Sequence, residues 1–429
     1  MNTSERIRIL RRLVGDVEKR FREQTPGKDP ETRELKQSDA SSGSLDERKQ
    51  NFLLGVDFQE VETSRGGVMV RTRVVDDTTA RFGNVPLKGV RNLAMAPLSM
   101  LSGDEQLGVT KPGDLLFVDI ETTSLALGAG NCVFLVGVAY LGPNGLIVEQ
   151  ILAREPAEEP ALLEALAERL EKAGALVTFN GKAFDLDVLE TRYIMNRKRL
   201  KLKAFPHLDL LHVSRRLYRN CLTSFRLQAL EAGLLGCPRD QEEDIPGELV
   251  PEAYFGFIRR GVTEPMRRVI NHNYSDVLAM SALAIKCASF SGSPGWENAE
   301  SQIYWNLGRY LDRSGRLGES LEYTAKALEL DLAGDERREA QFTLSLNLKR
   351  LGRLEEAEVI WLELHEKSDI RGTLELCKHM EHHQNDFSGA LELVEELLNR
   401  DFHAIGDLKE DLQRRIYRLK CRMAGKRWY

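Results

Sequence analysis

A chain of 429 residues, 42% hydrophobic and 29% charged, is long enough for two or three domains with real cores. Its formal net charge of -6 argues against a globally basic nucleic-acid coat protein and leaves room for a local basic groove. Six cysteines without a CxxC pair disfavour structural zinc and a disulfide framework and fit a cytoplasmic protein. The N-terminal MNTSERIRILRRLVGD lacks the apolar core of a signal peptide. No apolar run approaches the ~20 residues of a membrane span, so no membrane partner is expected.

In chain order, residues 4–24 suit a short basic helix. Residues 25–50 are polar and charged, which predicts a disordered linker and closes an N-terminal region over 1–50. Residues 51–110 carry short apolar pieces between turn residues and read as a lead-in segment packed on the domain that follows. That domain, 111–290, opens on LLFVDIETT, an apolar strand ending in two acids. CVFLVGVAYL and GLIVEQIL are two more strands joined by a Pro-Asn-Gly hairpin signal. ALLEALAERLEKAG is an amphipathic helix, ALVTFN a buried strand and FDLDVLETRYIMN a helix. HLDLLHVSRRLYR is a short strand running into a helix, and a long helix from about Glu264 to Ala288 closes the domain. Three strands, helix, strand, helix, strand predicts an α/β fold with a mixed five-stranded sheet flanked by helices.

After SFSGSPG (289–295) the pattern over 296–429 becomes all-α. GRLGESLEYTAKALEL, GRLEEAEVIWLELHEK and NDFSGALELVEELLNR are related, with Leu317, Leu354 and Phe387 in equivalent places, 37 and then 33 residues apart. That is the period of tetratricopeptide-like helix pairs. Ser320, Ala357 and Ala390 follow three residues later, where paired helices come close. The final helix, DLKEDLQRRIYRLKCRM, is a plausible cap. His379, His382 and His383 fall at a helix end, where exposure is expected rather than metal binding.

The acids carry the chemistry. Asp119 and Glu121, at i and i+2 on one strand, share a face and lie roughly 7 Å apart. They repel by about 2 kcal/mol at an effective dielectric of ~20, and a cation between them reverses that sign. The competing reading is a strand end meeting solvent. Asp185, after the turn in FNGKAFD, starts a helix, a favourable place for a carboxylate with or without a ligand. Asp276 falls within the apolar stripe Met266, Val269, Ile270, Asn273, Val277, Met280, Leu283, Cys287. An ionised acid there needs a metal or an arginine. His272 precedes it by one helical turn.

Together VDIETT, NGKAFD and HNYSD resemble the three motifs of DEDD exonucleases. DIETTSLALGAGNCVFLVGVAYL, FNGKAFDLDVLETRY, HLDLLHVSRRLY, DIPGELVPEAYFGFIRRG and VINHNYSDVLAMSAL resemble the signatures of one branch, the YprB-like ribonuclease-H-like family, over about residues 110–290. The resemblance implies a two-metal nuclease. Asp119, Glu121, Asp185 and Asp276 would hold two Mg²⁺ or Mn²⁺, His272 would act as base, and Thr122, Asn180 and Lys182 would contact substrate. One departure stands out. DEDD enzymes place a Tyr four residues, or a His five residues, before the last Asp; here a histidine stands in the tyrosine slot. Tyr274, two before Asp276, should point elsewhere on the helix.

Basic runs at 192–203, 214–219 and 259–268 are solvated faces or a phosphate track. Phe184 is more a core ring than a base-stacking one. The expected function is 3'-to-5' hydrolysis of single-stranded or frayed nucleic acid, with a protein partner docked on the helical repeats. A structure-selective endonuclease, or a non-catalytic nucleic-acid-binding scaffold acting through its repeats, is the alternative. The helical half is expected to be dispensable for chemistry, although the core could rest on it around Tyr304 and Trp305.

Overall fold

The computed structural model describes residues 44–124, 130–240, 242–290, 292, 299–399 and 408–425. The basic helix expected at 4–24 and most of the expected linker lie outside them. Residues 45–50, expected to be linker, instead begin helix α1 (Leu45–Gly55). Its Leu53 is buried in a cluster with Phe134, Tyr254 and Phe257, which supplies the apolar contact a free linker lacks.

The sheet contains the five expected strands. They are β3 (Leu115–Thr122), β4 (Val133–Gly142), β5 (Gly145–Leu152), β6 (Ala175–Thr178) and β7 (His207–Asp209). It also contains two that the lead-in segment adds, β1 (Gln59–Thr63) and β2 (Gly66–Val75), and the same segment forms helix α2 (Met95–Ser102). The order is β1-β2-β5-β4-β3-β6-β7, antiparallel as far as β3 and parallel from β3 through β7. Strand count therefore rises from five to seven. The segment GGVMVRTRVV has buried residues at Val68 to Arg71, and its Met69 to Val75 pair along the otherwise open edge of β5.

Alternation along β3 assigns its side chains to two layers. Leu116, Val118 and Ile120 pack on helices α3 (Glu159–Leu170) and α4 (Asp185–Met195). Leu115 and Phe117 face α5 (Leu210–Leu217) and the long helix α7 (Glu264–Ala288), which follows α6 (Val250–Arg260). Continuing the period of two puts Asp119 and Glu121 on the α7 side. The stripe expected on α7 is buried along its length, from Met266 through Asn273 to Cys287. Each fully buried Met, Val or Leu there contributes about 1.5–3 kcal/mol, so the position of α7 against β3 is strongly fixed.

The C-terminal half is helical. Helices α8 (Ala299–Arg313) and α9 (Leu317–Glu329), α10 (Gly334–Arg350) and α11 (Leu354–Glu366), and α12 (Ile370–His379) and α13 (Phe387–Leu398) pack in succession; α14 (Lys409–Met423) packs on α13. Leu317, Leu354 and Phe387 each open a helix. Ser320, Ala357 and Ala390 are buried where helices touch, and the Ser320 hydroxyl donates to the Gly308 carbonyl at 2.8 Å. His379 is not exposed as expected. It is buried beside the Trp361 ring, 5.7 Å between centroids, because the end of α12 packs against α11 of the preceding pair.

Helix α8 belongs to the core of the first half. Ile303 and Leu307 are fully buried in the cluster that holds Val213, Leu217 and Met280. The Asn306 amide donates to the Leu217 and Arg219 carbonyls at 2.9 and 2.7 Å, and the Tyr310 hydroxyl to Met100 O at 3.1 Å. Cutting the chain at residue 295 strips Ile303 and Leu307 from this cluster. A chain ending there is expected to melt on the order of 10 °C below one ending at residue 351. Equal melting temperatures by scanning calorimetry would show that α8 adds nothing to the core.

Candidate active site

Three separate segments bring the acids together. Strand β3 supplies Asp119 and Glu121, the start of α4 supplies Asp185, and the middle of α7 supplies Asp276. Asp119 feels the charges of Asp276, Glu121 and Asp185, and Glu121 those of Asp276 and Asp185. Asp185 is buried, while Asp119 and Glu121 keep partial access to solvent. Delivery of Asp185 depends on the preceding turn. Asn180 sits at φ 66°, and Asp209, at the end of β7, accepts from the backbone N–H of Asn180 at 2.9 Å and of Lys182 at 3.1 Å. The same carboxylate caps α5 by accepting from Leu211 N. Sequence reasoning missed Asp209; an acid at a strand-to-helix junction was the available signal.

Burial, then mutual repulsion, raises the carboxyls of Asp119 and Glu121 well above the usual range; burial with the charges of Asp209 and Asp276 raises Asp185 to about 8. A raised acid holds a proton in the folded state that the unfolded state has lost. Between the unfolded value near 4 and about 8, metal-free stability therefore falls as pH rises. Asp185→Asn removes that group's share. In EDTA, the melting temperature of Asp185→Asn is expected to pull ahead of wild type as pH goes from 5 to 8. A gap that stays constant over that range contradicts the arrangement.

A charged network surrounds Asp276 and was not foreseen. Arg239 Nε and Nη2 donate to the two oxygens of fully buried Glu231 at 2.5 and 2.6 Å, and Nη2 also reaches Asp276. An ionised acid in the α7 stripe needs a metal or an arginine beside it, and in this structure Arg239 fills that place at Asp276. Arg239 lies 37 residues away in sequence, within CPRDQEED, where no periodicity marks it. His272 Nδ1 lies 2.6 Å from Asp244 Oδ1. A carboxylate accepts, so Nδ1 carries the proton and cannot also accept from Arg239 Nη1, 2.9 Å away. Nε2 then faces Asp276 Oδ2 at 3.6 Å. Burial lowers the His272 pKa, but the Asp244 hydrogen bond and the Asp276 charge outweigh it, and the net shift is upward. Tyr274 points elsewhere, under the Arg71 and Arg73 guanidinium groups.

The expected substrate contacts are placed differently from one another. Asn180 and Lys182 are exposed on the turn before Asp185. Thr122 is buried, and its hydroxyl donates to Ser124 O at 2.8 Å. A cleft of about 650 Å³ opens beside Asp276 and His272, lined by Asn180, Arg215, Arg226, Phe179 and Phe225. Much of the basic character noted in the sequence is spent elsewhere. Arg192 pairs with Glu159, Lys203 with Asp187, and Arg267 and Arg268 with Glu264. Arg215 and Arg226 remain exposed in the cleft. Phe184 packs against the core.

As they stand, the described side chains form no closed three-ligand cage. Asp276 is engaged by Arg239, and Asp119 accepts from Asn273 Nδ2 at 2.8 Å. The donor set nevertheless fits a hard divalent cation: four carboxylates, oxygen only, whose repulsion a cation relieves.

A family model described as RNase_H superfamily matches residues 116–288, a span that includes all four acids. A Bacillus subtilis (strain 168) protein described as "Uncharacterized protein YprB" is 33% identical over 313 residues, covering 72% of this chain and 74% of that protein. No described helix is long and apolar enough to cross a membrane. The chain thus belongs to the ribonuclease-H superfamily, in its YprB-like branch.

Proposed function

We propose that this protein is a metal-dependent 3'-to-5' exonuclease that hydrolyses phosphodiester bonds of single-stranded or frayed nucleic acid. The observation that carries the reading is the convergence of Asp119, Glu121, Asp185 and Asp276 from three distant segments at one place on the sheet. These residues would hold two Mg²⁺ or Mn²⁺. When bound, the ions would supply an activated water and neutralise charge developing on the phosphate. His272, fixed through Nδ1 by Asp244, presents Nε2 toward the acids and would take the proton of the attacking water. Arg215 and Arg226 would hold backbone phosphates in the neighbouring cleft, and Phe179 and Phe225 offer rings for unpaired bases. The cleft is of ligand-pocket size, which suits a strand end rather than a whole duplex. The helical half would dock a protein partner, and the exposed Val359 and Leu362 on α11 are apolar contacts open to one.

The mode is tested with single-stranded DNA and RNA in Mg²⁺ or Mn²⁺, as 5'-labelled linear strands, 5'-labelled 3'-blocked strands and internally labelled circles. A ladder shortening from free 3' ends, with circles left intact, is the expected result. Cleaved circles would replace the exonuclease with an endonuclease.

A further inference from the structure

Four cross-strand neighbours form one row through the sheet. Arg71 on β2 pairs with Gln150 on β5, Gln150 with Gly137 on β4, and Gly137 with Asp119 on β3. Arg71 and Gln150 are buried polar residues on neighbouring strands. Arg71 has no ion-pair partner among the described residues, and its Nε has no hydrogen-bond acceptor. An arginine so placed is costly. The Tyr274 ring beneath the guanidinium offsets part of that cost, and hydrogen bonds along the row offset more.

Arg71 Nη1 donates to Gln150 Oε1 at 3.0 Å. Gln150 Nε2 donates to Ile270 O at 2.7 Å and to Asn273 Oδ1 at 2.9 Å. Asn273 Nδ2 donates to Asp119 Oδ2 at 2.8 Å. Both amide orientations follow from fixed ends. A guanidinium only donates and the Ile270 carbonyl only accepts, so Gln150 must present oxygen to Arg71 and nitrogen to α7. Asn273 must then turn its oxygen to Gln150 and its nitrogen to Asp119. Every donor in the chain points from Arg71 toward Asp119. Gly137 completes the design. A Cβ there would collide with the Asn273 amide, so the missing side chain lets Asn273 reach from α7 into the row.

We propose that Arg71, Gln150 and Asn273 are positioning residues that hold the Asp119 carboxylate through this one-way hydrogen-bond chain. The edge hairpin β1-β2 is thereby part of the active centre rather than a cover for it. The proposal rests on the reading of Asp119 as a metal ligand. Partners that orient a ligand in this way set metal affinity without touching the metal.

The test titrates Mn²⁺ into the full chain by calorimetry. Arg71→Met is expected to weaken Mn²⁺ binding about 10-fold, although Arg71 contacts none of the four acids. Arg71→Lys, which keeps the charge and a donor, should retain most of the affinity and guards against a folding defect in Arg71→Met. Asn273→Leu should weaken binding at least as much. The double variant Arg71→Met/Asn273→Leu should be no weaker than Asn273→Leu alone, because the chain is already cut. Folded variants binding Mn²⁺ within about twofold of wild type overturn the proposal, as do strictly additive losses. A second arm needs no metal. In EDTA, the melting-temperature effects of Arg71→Met and Asp119→Asn should be coupled, and the coupling should vanish in an Asn273→Leu background. If wild type binds no Mn²⁺, the metal reading falls and this arm decides the chain by itself. Uncoupled effects there overturn it.

Discussion

Asp119→Ala or Asp185→Ala is expected to lower nuclease turnover by about 10³-fold or more, equivalent to several kcal/mol of lost charge stabilisation at the reacting phosphate. The fold should survive. Each residue is a carboxylate pushed toward its neutral form by burial and by other acids, and relief of that burden offsets the Asn273 hydrogen bond that Asp119→Ala gives up. Removing one relieves repulsion, and the melting temperature in EDTA should stay level or rise. The opposing signs are the diagnostic feature, since a merely structural acid would lose stability and activity together. Turnover on a single-stranded oligonucleotide, beside thermal melting in EDTA, reads both. Wild-type turnover in either variant contradicts the assignment.

Arg239→Gln is expected to have the largest effect on stability of any substitution near the site. It leaves Glu231, which has no exposed surface, without its cation, and it strips Asp276 of the same guanidinium. Breaking a buried pair by removing one partner costs about 3–5 kcal/mol, which corresponds to a fall in melting temperature of about 10 °C. Burial pushes the Glu231 carboxyl up even with Arg239 in place, so the pair itself is no great source of stability. Replacing both members with apolar residues should therefore be milder. The double variant Glu231→Leu/Arg239→Met should recover much of the melting temperature without recovering activity. A single variant as stable as wild type would mean that Glu231 finds another partner, and the network described around Asp276 would be wrong.

What the sequence disclosed was what periodicity and local chemistry can encode. The strand and helix order from Asp114 onward follows from runs of apolar residues and turn signals. The bounds of α7 match a stripe whose ends are visible as Glu264 and Ala288. The shared face of Asp119 and Glu121 is a consequence of period two, and their approach to Asp276 follows from the apolar stripe of α7. What stayed hidden depended on pairing between distant segments. Strand β1, QEVET, is mostly exposed and becomes a strand through its neighbour β2, so its own sequence carries little signal. Arg239 and Asp244, on a loop whose course is not periodic, and Glu231, on the helical turn before it, meet His272 and Asp276. Asn273 was in view as a polar residue inside the α7 stripe. Its meaning needed Gly137 and Gln150, which lie on two other strands. A buried amide in an apolar stripe is a signal that asks for a partner even where the partner cannot be named.

The central claim, that these four carboxylates form a metal-dependent nuclease site, is tested most directly by one assay. Purified full-length protein and its Asp119→Ala variant are incubated with end-labelled single-stranded DNA and RNA, with Mg²⁺ or Mn²⁺ and then with excess EDTA. The account predicts cleavage by wild type of at least one of these strands, its loss in EDTA, its return when Mn²⁺ is restored, and none above background from Asp119→Ala. Cleavage that persists in EDTA, or equal cleavage by the variant, would contradict it.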